Sequence, residues 1–379
     1  MPLHDVGYRG WAGRRRGNGQ AVGVITSTGI RLAWTSRWLR RALLFAWSPA
    51  LFFGVSFFAF EQAIDEGRFS SMQERAQKGR NLDGVGMLGT LLANTLGQSS
   101  DVNEAETEKE KILRTRRLVW SRLLLAFVRA PQALLLAVVI GLIAPTLISR
   151  DLRAKAWLIY FTRPVSRLEY ILGKCLVLAC IIAGITLLPG LALWFMGVMV
   201  SPSVWIAYAT WDLPIKLIAS SVVLMVPTSL LALAYSSLTS ESRIASFAWF
   251  ATWAACWIAH SSLTTAELTS PNQEVDQSGR TQLVESWAAS RFGDEKDLIL
   301  KKNRPPRSRQ WFEKAAGLDT SIDHWAWISP YHSLGVIQGW IFGIEKRAQA
   351  IVPPAIALSV ITCLSLCILW RRVDAPVRA

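Results

Sequence analysis

The sequence predicts an all-α membrane protein of six transmembrane helices, with both termini on the cytoplasmic side. Three observations carry that reading. Hydrophobic residues make up 51% of the 379 and charged residues only 18%, and the mean hydropathy is positive, a balance that points to a polytopic membrane protein. Apolar runs of about 20 residues, enough to cross a ~30 Å hydrocarbon core, recur along the chain. The basic residues gather in segments that alternate with those runs. The 18 Trp fit as well, because indoles collect at membrane–water interfaces.

Taken in order, residues 1–28 are rich in Gly and Arg without periodicity and read as a disordered basic cytoplasmic tail. Residues 29–60 hold a basic lead-in and the first span, whose apolar run is 42–60. That run reads as a span rather than a cleaved signal peptide, since some forty residues precede it and no small-x-small site follows. Residues 61–130 read as an outer loop containing "RTRRLVWSRLLLAFVRA", 114–130. Its Arg122 and Arg129 fall on one helical face, as in an amphipathic helix lying on the outer surface. Equally, the stretch extends the second span, with Arg129 snorkelling outward. Spans two to five occupy 131–263, at 131–149, 175–200, 214–235 and 244–260, with a cytoplasmic segment at 148–174. Residues 264–349 form a second outer region. Its basic run 296–310, with Pro305-Pro306, reads as a solvated loop, or else as a site for an outer (periplasmic) partner or acidic cargo. The last span is 350–370 and residues 371–379 a cytoplasmic tail.

Charge sets the orientation. Residues 1–41 carry a net +7, 150–174 carry +4, 371–379 carry +2 and 236–243 cancel, so these four segments hold +13 of the formal +14. Residues 61–122 have ten basic and ten acidic residues, and 264–349 have eleven of each. The positive-inside rule therefore places the four segments in the cytoplasm of a multi-pass inner-membrane protein. The charge is a topology signal and does not point to nucleic acid. Cys175, Cys180, Cys256, Cys363 and Cys367 all fall in predicted spans, which leaves no disulfide framework and no metal-ligand set. A phosphate-binding G-x-x-x-x-G-K-[ST] is absent: Gly173-Lys174 is followed by Cys175.

The segment "ISRDLRAKAWLIYFTRPVSRLEYILGK", 148–174, holds six basic residues against two acids. Good helix formers continue to Phe161, and Thr162-Arg163-Pro164 then breaks the helix. Ser166 with Glu169 predicts a capping box that opens a second helix. Trp157, Tyr160 and Phe161 share one face, with Arg150, Arg153 and Lys155 supplying charge. Composition alone reads this as an interfacial helix on anionic lipid. Its order, however, resembles the loop after the second span in membrane subunits of ABC exporters of the second type. The matching residues are Ile148-Ser149-x-Asp151, Arg163-Pro164-Val165-Ser166-Arg167-x-Glu169 and Leu172-Gly173-Lys174. "TSRWLRRALLFAWSPALFFG", 35–54, is similar to that family's basic elbow and first span. "WISPYHSLGVIQGWIFG", 327–343, with Ser329, Pro330 and Tyr331, is similar to its outer re-entrant segment.

The resemblance implies a permease subunit whose coupling helix docks on a separate cytoplasmic ABC ATPase. The segment that would dock comprises Asp151, Arg153, Lys155, Trp157, Tyr160, Phe161, Arg163, Pro164, Arg167 and Glu169. ATP would sit on the partner and no cofactor on this chain, and a second copy or a related permease would complete the pathway in the lipid. The chain departs from the pattern at Lys155, Ala156 and Leu158, where relatives carry a small Gly-Thr pair and an acid, and its outer loops are larger. Pro189-Gly190 and Pro227, mid-way along spans three and four, read as hinges or as static kinks. Asp212 and Lys216 fall at headgroup level. Ionisable residues are otherwise nearly absent from the spans, against proton coupling or ion conduction.

Two rival readings remain. A non-transporting anchor or scaffold subunit shares every feature but cargo movement. An intramembrane hydrolase built on His260-Ser261-Ser262 fares worse, because adjacent residues on a helix do not face each other, and His4, His324 and His332 lie elsewhere.

Overall fold

The computed structural model describes residues 20–65, 108–131, 135–156, 165–201, 205–268, 325–344 and 348–378, and these are helical almost throughout. Helix α1 spans Gln20–Thr35, α2 Arg37–Ala46 and α3 Ser48–Asp65. Next come α4 at Glu108–Pro131, α5 at Ala137–Arg153, α6 at Arg167–Ile185 and α7 at Leu187–Val200. The short α8, Trp205–Ala209, precedes the 27-residue α9, Asp212–Leu238, and α10, Ser242–Leu268. A 3-10 turn at Ala326–Ile328 leads into α11, Pro330–Ile341, and the chain closes with α12, Ala348–Arg378.

Among the described residues four segments are long and apolar enough to cross a membrane: Arg37–Gln62, Arg167–Val200, Asp212–Leu238 and Gln349–Val373. They coincide with the expected first, third, fourth and sixth spans. The described part of the expected second run and the expected fifth run also lie on helices. The described α5 is only 17 residues long, and α10, though 27 residues, is interrupted by Ser, Thr and His.

Two apolar clusters organise the packing. One joins α5, α6, α9, α10 and α12, with Leu39 and Ala46 of α2. The other joins α3, α4 and α7 through Phe53, Phe57, Trp120, Phe127 and Leu193. Within the second, Phe57 meets Trp120 edge-on at 5.5 Å and Phe53 meets Phe127 at 5.7 Å. Residue numbers rise along α3 as they fall along α4, so these helices run antiparallel. Leu123 to Val128 are all buried; a helix lying on a surface would leave one face free.

Residues 20–28, expected within a disordered tail, are instead the first half of α1. The reason is tight packing that composition hides. Ile25 meets Gly173 and Val177 meets Gly29, so α1 runs alongside α6 in the same direction. A Cβ on Gly173 would fall 2.9 Å from the Ile25 Cβ. Thr26 donates to the Val22 carbonyl at 2.8 Å and to the Gly173 carbonyl at 3.2 Å. Small residues that let backbones approach are the usual device of helix pairs in lipid. In α2 the expected elbow is amphipathic: Ser36 caps it by accepting from the Leu39 N–H, and Arg37, Arg40 and Arg41 stay exposed.

Pro189 stands in the first turn of α7, where its missing N–H leaves the Ile185 carbonyl without its helical donor, and the helix breaks at Thr186. At that break the Trp47 indole donates to the Gly184 carbonyl at 3.0 Å.

Substituting Gly173→Val should destabilise the protein by about 1–3 kcal/mol, because the α1–α6 contact has no room for a side chain. Gly184→Ala, where nothing lies within 4 Å of an added Cβ, should leave the unfolding temperature in detergent unchanged or higher. Equal losses from both would contradict the packing described.

Candidate coupling site

The basic segment begins at the C-terminus of α5, and this helix ends earlier than the sequence suggests. Helix formers run to Phe161, yet α5 stops at Arg153. Lys155 adopts a left-handed backbone, φ 52. Its N–H donates to the Leu152 carbonyl at 3.2 Å, and the Ala156 N–H reaches back to the Asp151 carbonyl at 3.0 Å. These paired bonds terminate the helix as a glycine would, at a strain of about 1–2 kcal/mol for a residue with a Cβ. Trp157, Tyr160, Phe161, Arg163 and Pro164 lie outside the described residues. On the far side, the capping box expected at Ser166 and Glu169 is present: the Ser166 N–H donates to Glu169 Oε2 at 2.8 Å and the Glu169 N–H to Ser166 Oγ at 3.3 Å.

The two flanks are clamped together by three side chains. Asp151 Oδ2 accepts from the Tyr170 hydroxyl at 2.7 Å and pairs with Lys174 Nζ at 2.8 Å. Lys174 also donates to the Leu147 carbonyl at 2.8 Å, and its ammonium lies 5.5 Å from the Tyr170 ring. Side-chain exposure is 10% for Lys174 and 18% for Asp151. A charge pair this sheltered is worth far more than an exposed one, and removing either partner strands the other.

Helix α5 is also stitched to α9 and α10. Pro145 interrupts its hydrogen-bond ladder and deprives the Gly141 carbonyl of its helical donor; the Ser246 hydroxyl of α10 supplies a bond there at 2.9 Å. One turn on, Ser236 of α9 inserts its hydroxyl into the ladder. It donates to the Pro145 carbonyl at 3.0 Å and accepts from the Ile148 and Ser149 N–H groups at 3.2 and 3.1 Å. Ser149 returns a bond to the Ser236 carbonyl at 2.8 Å. Arg153 pairs with Glu241 in the link between α9 and α10. That exposed pair adds little energy, but it shows that the C-terminal end of α5 and the α9–α10 link lie at the same end of the bundle. Trp249 donates to the Ala137 carbonyl at 2.9 Å. The segment's root is therefore held by four helices.

At the opposite end Glu61 is fully buried and fully bonded. Its carboxylate accepts from Arg116 Nε at 3.0 Å, the Trp120 indole at 2.8 Å and the Ser201 hydroxyl at 2.9 Å. Nearby, Asp212 pairs with Lys216 at 2.9 Å and Arg117 at 3.0 Å. These pairs tie α3, α4, α7 and α9 together.

A family model described as ABC-2 family transporter protein matches residues 36–335, most of the chain and all of this site. The chain belongs to the ABC-2 transporter family. Neither the curated proteins nor the solved structures provide a match. ABC-2 membrane proteins are the non-catalytic transmembrane subunits that act with ABC ATPase subunits, so this permease is a multi-pass membrane protein and not itself an enzyme.

The remaining sequence candidates fall into place around that frame. Arg167 opens α6, and Pro227 lies inside α9. Ser329 precedes α11 and Pro330 begins it, with Tyr331 in its first turn; α11 then turns back through residues 342–344 to pack on α12. The Ser–His suspicion dissolves. The Ser262 hydroxyl is spent on the Ile258 carbonyl, and His260 stacks on His332 with ring centroids 3.5 Å apart. The sequence reading assigned no role to Pro145, Tyr170, Ser236 or Ser246. A proline four residues after a glycine in a span was a usable signal for the first; serines in helices carry none.

Asp151→Ala should cost about 3–5 kcal/mol of stability, since it leaves the Lys174 ammonium buried and unpaired. Pairing Asp151→Leu with Lys174→Met should recover most of that, and Tyr170→Phe should cost about 1 kcal/mol. Lys155→Gly should raise stability by about 1 kcal/mol. Thermal unfolding in one detergent checks all four, and a fully additive double variant would contradict the clamp.

Proposed function

We propose that this ABC-2 permease is a six-span ATP-driven exporter subunit with both termini in the cytoplasm, and that residues 148–174 transmit the work of a separate ATPase. The observation that carries this is the four-helix root of the basic segment. A segment that receives force from a moving partner needs to be joined rigidly to the spans it drives, and Asp151, Tyr170, Lys174 and Ser236 supply that join.

Helices α4 and α10 support the count of six. The α4–α5 pair runs from the Arg117–Asp212 charge layer to Arg153, and α10 at 27 residues is about 40 Å long. With these two added, the basic segments fall on one side. The break at Thr186, and Pro227 inside α9, serve as the hinges through which movement of the basic end reaches the rest of each helix. Two copies about a two-fold axis, or one copy and a related permease, enclose the pathway within lipid. On this topology the 66–107 and 269–324 loops would be outer ones, where a further partner would bind.

Purification from native membranes in gentle detergent should bring down a soluble chain with a Walker motif and measurable ATP turnover, both lost with Arg153→Glu combined with Trp157→Ala. Retention of the pure permease alone, with no turnover, would favour an anchor. In a cysteine-free background, a cysteine at Ser278 should react with an impermeant maleimide in intact cells, and one at Ser240 only after permeabilisation. The reverse pattern would overturn the topology.

A further inference from the structure

Arg129 is the charge the rest of the chain does not balance: the four basic segments account for +13 of the +14, the two long loops cancel, and Asp212 cancels Lys216. It is 3% exposed. It also lies deep. Twelve residues separate it from Arg117, which pairs with Asp212 at the end of α9, so it sits about 18 Å further along α4. Its neighbours on α11 agree, since the Gln338 amide donates to the Ser220 carbonyl at 3.3 Å, about 12 Å into α9 from Asp212.

No carboxylate pairs with Arg129 among the described residues, and its Nε has no hydrogen-bond partner. The guanidinium rests 4.8 Å from the centre of the Tyr331 ring. Helix α11 is shaped around it: a Cβ on Gly335 would collide with Nη1. Tyr331 and Gly335 are four residues apart on one face, His332 is beside them, and Gln338 follows one turn on. His332 Nδ1 is likewise buried without a partner. Ser329 makes no side-chain cap at the α11 N-terminus, and that end of a helix favours negative charge.

An arginine does not escape burial by losing its proton. One aromatic face returns less than the cost of taking a full charge out of water. A buried guanidinium with an unpartnered Nε–H, set against the N-terminal half of a helix, calls for an occupant.

We propose that Arg129 and His332, at the N-terminal half of α11, bind one oxyanion group, the phosphate or carboxylate of an acidic amphiphile held within the bilayer. Arg129 presents Nε–H and its Nη groups to the two oxygens of that group, while Tyr331 and Gly335 fix the guanidinium plane. The site stands whether or not the protein exports, since it needs only the α4–α11 packing.

The test is native mass spectrometry of the full chain from mild detergent, followed by thermal unfolding after delipidation. The wild type should retain one acidic lipid. Added phosphatidylglycerol vesicles, but not phosphatidylcholine vesicles, should raise its unfolding temperature. Arg129→Gln should lower retention about tenfold, the loss of one charge-assisted contact, and abolish the shift. Arg129→Lys keeps the buried cation and should retain the lipid more weakly. Gly335→Ala keeps the charge but displaces the guanidinium, and should behave as Arg129→Gln does. A shift with inorganic phosphate alone would support the site with a free anion as its source. A wild type that retains no anion and responds to none would overturn it. So would unchanged retention in both Arg129→Lys and Gly335→Ala, whichever of the variants folds best.

Discussion

A carbonyl left without its N–H is costly wherever water is scarce, and the Gly141 carbonyl is the point from which the basic half of this bundle is arranged. Pro145 removes its helical donor, Ser246 replaces it from α10, and Ser236 completes the next turn from α9. An unsatisfied backbone group in hydrocarbon costs several kcal/mol. Helix α5 therefore cannot shift away from α9 or α10 without exposing groups that have no other partner. The Asp151–Lys174 pair applies the same constraint to α6, because Lys174 is also spent on the Leu147 carbonyl. The left-handed Lys155 is tolerated at the very point where this stitched unit ends.

The opposite end follows a related logic with charge. Burying Glu61 is sustainable only because three donors converge on it, and the same bonds fix α3, α4 and α7 to one another. Between the two fixed ends the chain breaks its helix at Thr186, and Pro227 stands inside the continuous α9. A bundle tied together at both ends is consistent with a permease that acts with an ABC ATPase subunit.

Much of this was legible in the sequence, and the exceptions have physical causes. Apolar length located α3, α5, α6 with α7, α9, α10 and α12, because lipid demands it. The Ser166–Glu169 capping box was readable because both partners are local. Gly- and Thr-rich α1 was missed: its stability comes from the close fit of Gly29 and Gly173 against a distant helix, which composition reports as disorder. The end of α5 was missed because no glycine marks it. The tertiary bonds of Asp151, not local propensity, decide where it stops. Arg129 read as an interfacial side chain because one residue does not reveal that α11 covers it. Ser236 and Ser246 gave no warning, since a hydroxyl in a helix more often bonds its own backbone.

The central claim is that the basic ends of α5, α6, α9 and α10 form one unit that takes the ATPase's push as a whole. The most direct test is a pulsed electron-resonance distance measurement between spin labels at Lys155 and Ser240, in the permease–ATPase complex reconstituted in lipid, with and without a non-hydrolysable nucleotide. The account predicts that this separation stays fixed while the distance from Lys155 to a label near Pro330 changes. A Lys155–Ser240 distance that lengthens on nucleotide binding would show the segment moving independently of α9, and would contradict it.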